Sequence, residues 1–227
     1  MMIEVLPDAQ SVARRGAQWI AAQAREAIAA RGRFILGVSG GTTPSLMFRE
    51  LAREDVDWGR VDVVQVDERV APTGDRDRNL TALYESLRES PRAIARIHAM
   101  PVESAEFADG TAQYSDLLES IAGSPPVLDV VHLGLGADGH TASLVPGDPV
   151  LEVAESDVAW TGEYMGRQRM TLTFPMLNRA RQVLWLVTGS QKADALSRLR
   201  GSDRSIPAGR IRQNAALVFA DRAAAGQ

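Results

Sequence analysis

Short runs of aliphatic residues alternate with longer helix-like segments along the whole chain, and this alternation constrains the fold more than any other feature. The pattern is typical of an α/β protein, in which each helix returns the chain to begin another parallel strand. We therefore expect an α/β fold with a Rossmann-like open, mostly parallel sheet and helices on both faces. No repeat or linker interrupts the pattern, so residues 1–227 are predicted to form a single domain.

The expected elements follow from the position of apolar runs, caps and glycines. Strands are predicted near 3–6, 33–38, 61–66, 127–133, 169–174, 183–187 and 216–219. Helices are predicted at about 9–30, 45–53, 80–87, 103–121 and 190–199, the first between an Asp8 cap and a terminating Gly32. Parallel sheets bind ligands at the carboxyl ends of their strands, so the loops after Val38, Val66 and Leu133 should meet in one crevice.

Composition excludes several classes of function. The 25 basic and 29 acidic residues give a net charge of −4, which lacks the basic footprint of a nucleic-acid-binding protein. The absence of cysteine removes disulfides, thiolate nucleophiles and sulfur-ligated metal sites. The N-terminus carries no signal-peptide pattern, and no apolar run approaches the roughly 20 residues of a membrane span. We expect a cytoplasmic protein with no membrane partner and no metal.

The loop after the second predicted strand, Ser39-Gly40-Gly41-Thr42-Thr43-Pro44, places glycines and hydroxyls at a helix N-terminus. Free backbone N–H groups and the helix dipole favour an anion there, and phosphate is the natural ligand. The loop lacks the GxxxxGK[ST] pattern of nucleotide hydrolases. A tight strand-to-helix turn with no ligand is the alternative.

The glycine-rich loop from Gly134 to Gly139 satisfies GxGxxG, the pattern of dinucleotide-binding dehydrogenases, but Pro146 and Pro149 leave no room for the long helix that this pattern needs. The loop contains Asp138 two residues before His140. A carboxylate can accept one ring N–H and leave the other nitrogen as a proton acceptor, so His140 is the best candidate for a general base. His132, inside a strand, is expected to be a hydrogen-bonded core residue, and His98 to lie in a connection.

Charged residues in the remaining segments allow both functional and structural interpretations. Asp67 and Arg69 end a buried strand at the start of a polar loop, so they face a crevice or form an ion pair with each other. Arg76 and Arg78 are expected on a solvated surface. Arg169 and Lys192 are expected at the surface from position alone, although an anionic ligand would explain a lysine at a helix start.

Together these segments resemble the 6-phosphogluconolactonase family, which belongs to a larger group that includes the glucosamine-6-phosphate deaminases. The resemblance covers nearly the whole chain and is carried by Ser39–Pro44, Asp67–Arg69 with Asn79, Gly134–Leu144, Arg169–Thr173, and Gly189 with Lys192. The corresponding segment of the deaminases resembles DGHIAFNEP, in which the first residue is the aspartate that aligns with Asp138. This chain has Ser143-Leu144-Val145-Pro146 instead, which lacks their acidic residue and matches the lactonases.

The resemblance implies hydrolysis of 6-phospho-D-glucono-1,5-lactone to 6-phosphogluconate, a step of the oxidative pentose phosphate pathway, without a cofactor. We expect the chain to act as a monomer. It implies that His140 activates water, that Asp138 orients His140, and that Arg69 binds substrate oxygens or the developing oxyanion. The implied substrate-binding residues are Ser39, Gly40, Gly41, Thr42, Asp67, Arg169 and Lys192.

Three other functions remain open from the sequence. A deaminase or isomerase of the same fold would release ammonia from glucosamine 6-phosphate, and a phosphosugar sensor would bind ligand without turnover. A dehydrogenase would bind NAD.

Overall fold

The structure is a computed structural model that describes residues 1–87, 96–103 and 107–227. The strands in these ranges are β1 (Met2–Leu6), β2 (Phe34–Val38), β3 (Val61–Gln65), β4 (Asp67–Arg69), β5 (Arg96–His98), β6 (Val130–Gly134), β7 (Val158–Trp160), β8 (Arg169–Leu172), β9 (Gln182–Val187) and β10 (Ala216–Asp221). The α-helices are α1 (Ala9–Arg31), α2 (Thr42–Leu51), α3 (Asn79–Leu87), α4 (Phe107–Ala122), α5 (Phe174–Arg179) and α6 (Ala193–Arg200).

The central sheet has the strand order β1-β10-β9-β6-β2-β3-β5, and every neighbouring pair is parallel. From β2 the chain builds outward through β3 to β5, and from β6 it builds in the opposite direction through β9 to β10. The reversal lies between β2 and β6, and a crevice forms at such a switch point because the two following loops diverge. The expected open, mostly parallel α/β sheet is confirmed.

Helices cover both faces of the sheet because the strands bury side chains in both directions. Within β2, Phe34 and Leu36 join a hydrophobic cluster with α1, α2 and α3, whereas Ile35 joins a cluster on the other face that includes residues of α4, α5 and α6. This alternation follows from the two-residue period of a strand.

Helix α1 shows how local sequence sets an element's limits. The side chain of Asp8 accepts a hydrogen bond from the backbone N–H of Ser11 at 2.7 Å, and Gly32 ends the helix with a φ of 75°. Both were predicted from the sequence. Helix α2 begins at Thr42, three residues before the expected start, because Pro44 fits the first turn, where its missing N–H costs no hydrogen bond.

A three-stranded antiparallel sheet, with the order β4-β8-β7, departs from the sequence expectation. The expected polar loop after Val66 begins with a strand, and the strand expected at 169–174 pairs in this small sheet and ends at Leu172. Its pairing joins residues about a hundred positions apart, which local pattern does not reveal.

Two further expectations differ from the structure. His98 lies in edge strand β5, where its Nε2 is 2.8 Å from Asp62 Oδ1, and not in a connection. The helix expected at 103–121 is observed as α4 from Phe107, with Glu103 in a turn, while 104–106 lie outside the described residues. Among the helices that the structure describes, none combines the length and apolar character needed to cross a membrane.

Candidate functional site

A cavity of about 330 Å³ opens where the strand order reverses, within the size range of small-molecule sites. Its walls come from the loops after β2 and β6, the β4–α3 segment, β8, and the end of β9. The residues lining it are Ser39, Gly40, Gly41, Thr42, Thr43, Pro44, Asp67, Arg69, Asn79, Gly134, Leu135, Gly136, His140, Ala142, Arg169, Leu186, Val187, Thr188, Gln191 and Lys192.

The loop after β2 approaches the cavity closely because it carries glycines. A Cβ atom on Gly40 would lie 2.0 Å from Asn79 Oδ1, so no side chain fits between the two segments. Gly41 has a φ of 125° and immediately precedes α2. The first N–H groups of α2 thus meet the cavity wall, as an anion site at a helix N-terminus requires. Thr43 Oγ1 is 2.6 Å from Thr188 Oγ1, which ties this loop to the end of β9.

The loop after β6 holds the candidate base. His140 Nδ1 lies 2.6 Å from Asp138 Oδ1, while Nε2 has no hydrogen-bond partner within the part of the chain that the structure describes. Gly136 makes the pair possible, since a Cβ there would lie 2.1 Å from His140 Nδ1. Partial burial alone would raise the pKa of Asp138, but hydrogen bonds from the backbone and ring of His140, together with their charge interaction, lower it. The carboxylate is therefore available to orient the imidazole.

Asp67 is a second carboxylate in the cavity wall, and its surroundings differ. Its Oδ2 accepts a hydrogen bond from Ser143 Oγ at 2.7 Å, and complete burial raises its pKa. Arg69 donates to the backbone carbonyl of Asp77. The Asp67–Arg69 ion pair considered above is not among the ion pairs of the described residues, so Arg69 is available to the cavity.

Arg78 corrects the expectation that it lies on a solvated surface. It is 2% exposed, and its Nε lies 3.1 Å from Glu68 Oε2 in a fully buried ion pair. Glu68 also accepts hydrogen bonds from the backbone N–H groups of Arg69, Asn79 and Leu80. The pair thereby fixes the start of α3 beside the cavity. Arg76 is exposed, as expected.

Two further basic side chains, those of Arg169 and Lys192, line the cavity. Arg169 is 6% exposed rather than at the surface, and its burial lowers its pKa, partly offset by the charge of Asp67. Its Nε and the hydroxyl of Ser39 are buried without hydrogen-bond partners among the described residues. Lys192 is half-buried at the end of a 3₁₀ turn, Ser190–Lys192, which leads into α6. A buried donor without a hydrogen-bond partner destabilises the fold, and a ligand with acceptor oxygens would supply the missing hydrogen bonds.

The structure thus brings nearly all of the sequence-predicted site residues to one cavity. Asp138 is not a lining residue and reaches the cavity through His140. Sequence reasoning assigned no role to Asn79, Thr188 or Gln191, which also line it. Gln191 precedes Lys192 after the positive-φ Gly189, and this turn is the signal that could have identified it.

Two other sequence interpretations concern cofactors and His132. The glycine-rich loop passes through turns into the short 3₁₀ helix Pro149–Glu152 and opens no long helix, so the dinucleotide fingerprint is incomplete. Within 1–87, 96–103 and 107–227, no group of three or more His, Cys, Asp or Glu residues could hold a metal ion. His132 lies in the core as predicted, but neither ring nitrogen has a hydrogen-bond partner among the described residues, so the expected hydrogen bonding was wrong.

Residues 7–219 match the family model described as "Glucosamine-6-phosphate isomerases/6-phosphogluconolactonase". A curated relative from Synechocystis, a 6-phosphogluconolactonase, is 35% identical over 202 residues, covering 87% of this chain and 84% of its own. The 6-phosphogluconolactonase of Rattus norvegicus is 34% identical over 238 residues, covering 99% of this chain and 92% of its own.

Solved structures show the same architecture. A 6-phosphogluconolactonase from Shewanella baltica superposes with a TM-score of 0.83 at 26% identity, with 97% of each chain covered. A monomeric glucosamine-6-phosphate deaminase also superposes with a TM-score of 0.83, at 18% identity, over 100% of this chain and 99% of its own. This second likeness shows that the fold is shared and does not distinguish the two chemistries.

Proposed function

Because the chain belongs to the glucosamine-6-phosphate isomerase/6-phosphogluconolactonase family, we propose that it hydrolyses 6-phospho-D-glucono-1,5-lactone to 6-phospho-D-gluconate in the oxidative pentose phosphate pathway. The curated relatives named above support the lactonase within this family. Val145, where the deaminase pattern has an acidic residue, supports the same choice.

The observation that carries the proposal is the His140–Asp138 pair at the edge of a cavity with three basic side chains. Nδ1 of His140 is 2.6 Å from the carboxylate, so the carboxylate favours the tautomer in which Nδ1 carries the proton. The unprotonated Nε2 can then accept a proton from water. Arg69, Arg169 and Lys192 supply positive charge in the same cavity for an anionic substrate.

The substrate phosphate is assigned to the wall formed by residues 39–42, Arg169 and Lys192. Its oxygens suit the backbone N–H groups at the start of α2 and the donors of Ser39 and Arg169 that have no partner in the part of the chain that the structure describes. Binding the remote phosphate places the lactone carbonyl near His140 and replaces a bimolecular encounter with a fixed geometry. Asp67 is assigned to a substrate hydroxyl.

Hydrolysis proceeds through a tetrahedral intermediate. His140 takes a proton from water as the water oxygen bonds to C1, and the carbonyl electrons move to the oxygen, whose charge Arg69 stabilises. When the intermediate collapses, the bond from C1 to the ring oxygen breaks, and protonated His140 returns its proton to that oxygen. Asp138 keeps the imidazole oriented and stabilises its cationic form. No cofactor takes part in these steps.

The proposal includes the expected assembly and location, a cytoplasmic monomer in which residues 1–227 act as one domain. Size-exclusion chromatography with light scattering at assay concentration tests the monomer, and an active dimer would refute it.

The first experiment measures the decay of freshly generated 6-phosphogluconolactone with and without the protein, because this lactone also hydrolyses unaided. Unphosphorylated gluconolactone serves as a matched substrate. We expect acceleration of the phosphorylated lactone, and a Lys192→Ala variant with KM raised about 10-fold or more while kcat changes little.

No acceleration above background would refute the lactonase. Ammonia release from glucosamine 6-phosphate would identify a deaminase instead. Binding of 6-phosphogluconate without turnover would support the sensor, and an unaltered KM in Lys192→Ala would remove Lys192 from the phosphate site.

A further inference from the structure

Tyr164 contacts the Asp138–His140 pair and also Arg169, although it does not line the cavity. Its hydroxyl donates to Asp138 Oδ2 in a long contact of 3.4 Å, and its ring meets the His140 ring edge-on with centroids 5.6 Å apart. The guanidinium of Arg169 lies over the same ring at 5.0 Å from its centroid. One side chain thus touches the carboxylate, the imidazole and a cation of the proposed phosphate wall.

The backbone that carries Tyr164 is a two-residue hairpin. Tyr164 and Arg167 exchange backbone hydrogen bonds, and the residues between them, Met165 and Gly166, have φ values of 53° and 74°. Two consecutive positive φ values define a type I′ turn, whose twist matches that of the flanking strands. A methionine at positive φ is strained, and the hairpin keeps that conformation.

The hairpin is also fixed on its other side. Arg167 Nη2 lies 3.0 Å from Asp77 Oδ2 and 3.5 Å from Asp75 Oδ2. The backbone carbonyl of Asp77 accepts the hydrogen bond from Arg69 described above. The hairpin therefore connects the loop that supports Arg69 with the loop that contains His140.

We propose that Tyr164 is a positioning residue for the hydrolysis. Its ring holds His140 and Arg169 in a fixed relation, and its hydroxyl restrains the Asp138 oxygen that does not bind His140. Aromatic edge contacts and cation–π contacts each contribute modestly, but a shift of about 1 Å in a reacting group can cost about 100-fold in rate. The inference rests on the proposed function for its kinetic consequence, while its structural part is independent of activity.

The test compares Tyr164→Phe, which keeps the ring, with Tyr164→Ala, which removes it. The control is Tyr84→Ala, because Tyr84 is 47% exposed on α3, outside the cavity. For Tyr164→Ala we expect kcat to fall about 10-fold to 100-fold. We also expect KM to rise, because Arg169 loses the ring on which it stacks. Tyr164→Phe should restore kcat to within about 3-fold of wild type, and the control should match wild type.

A readout independent of turnover is the ¹⁵N chemical shifts of the His140 ring, assigned by their loss in His140→Ala. Wild type should show protonated Nδ1 and unprotonated Nε2, and Tyr164→Ala should move both shifts toward a mixture of tautomers. Unchanged shifts in Tyr164→Ala would overturn the inference even if the wild type hydrolyses lactone. Changed shifts in a protein without lactonase activity would refute the proposed function and leave the positioning role standing.

Discussion

His132 and His140 lie eight positions apart, one inside strand β6 and one in the loop that follows it, and their surroundings are opposite. His132 is fully buried, its ring packs edge-on against Phe48, and neither nitrogen has a partner within the described ranges. The His140 side chain is 26% exposed and bonds to Asp138. The same residue type thus occupies a closed core and an open cavity within one short segment.

An imidazole alone is not sufficient for proton transfer, which also needs a carboxylate that orients the ring and access to solvent. Burial lowers the pKa of His132 to about 3, so its ring stays neutral near neutral pH. His140 bonds to a carboxylate through Nδ1, and its Nε2 has no hydrogen-bond partner in the ranges that the structure describes. Chemistry is therefore expected at one histidine and a stability effect at the other.

The largest expected effect is on turnover in His140→Ala. Loss of a general base lowers kcat by about 10²-fold to 10⁴-fold, while the phosphate wall still binds substrate and KM changes little. Steady-state kinetics with the background rate subtracted measure the change. His98→Ala is the matched control, because His98 lies in edge strand β5, bonds to Asp62 of β3 and does not line the cavity. Equal kcat values in His140→Ala and His98→Ala would show that His140 contributes no more to turnover than a histidine outside the cavity.

Asp138→Asn removes the negative charge beside His140, a charge that His132 also lacks, and keeps the size of the side chain. The imidazolium loses its stabilisation and the ring tautomer is no longer favoured, so we expect kcat to fall about 10-fold to 100-fold. Stability should change little at this partly exposed position. A kcat equal to that of wild type would show that the carboxylate does not contribute.

The smallest expected effect is a change in the pH dependence of stability in His132→Leu. The pKa of His132 is about 3 in the folded state, against about 6.5 in an unfolded chain, so between these values the unfolded state binds more protons. The contribution of neutral His132 to the free energy of unfolding is fully present above about pH 6.5 and is lost as the pH falls. Between pH 6.5 and 5 the loss amounts to about 2 kcal/mol.

Urea unfolding of both proteins at several pH values measures this change. The free energy of unfolding should fall more steeply in wild type than in His132→Leu, by about 2 kcal/mol over that interval, because other titrating groups are shared. Parallel curves would mean that His132 has a partner or solvent access, and the contrast with His140 would be lost.

Local signals predicted much of the fold and the core of the site. Asp8 and Gly32 set the limits of α1, and the glycine loops fall where strands end, because caps and turns depend on a few neighbouring residues. His140 was identified from Asp138 two positions away. The carboxyl-end rule of parallel sheets then placed the loops after Val38, Val66 and Leu133 in one crevice.

What the sequence missed depends on contacts between distant segments. Arg78 is buried because Glu68 faces it from β4, and no local pattern separates this arginine from the exposed Arg76. The pairing of β4 with β8 brings Arg69 opposite Arg169, residues far apart in sequence. Tyr164 was missed for the same reason, since its partners lie in another loop and in the following strand.

The role of His140 as the general base is tested by the pH dependence of kcat/KM for the wild-type protein. The rate is measured from about pH 5 to 8 at constant ionic strength, with spontaneous hydrolysis subtracted at each pH, because only a neutral imidazole can accept a proton from water. Asp138 stays ionised throughout, since its pKa is lowered. The account predicts a single protonation that reduces kcat/KM about 10-fold per pH unit at the acid end. A flat profile would contradict His140 as the base.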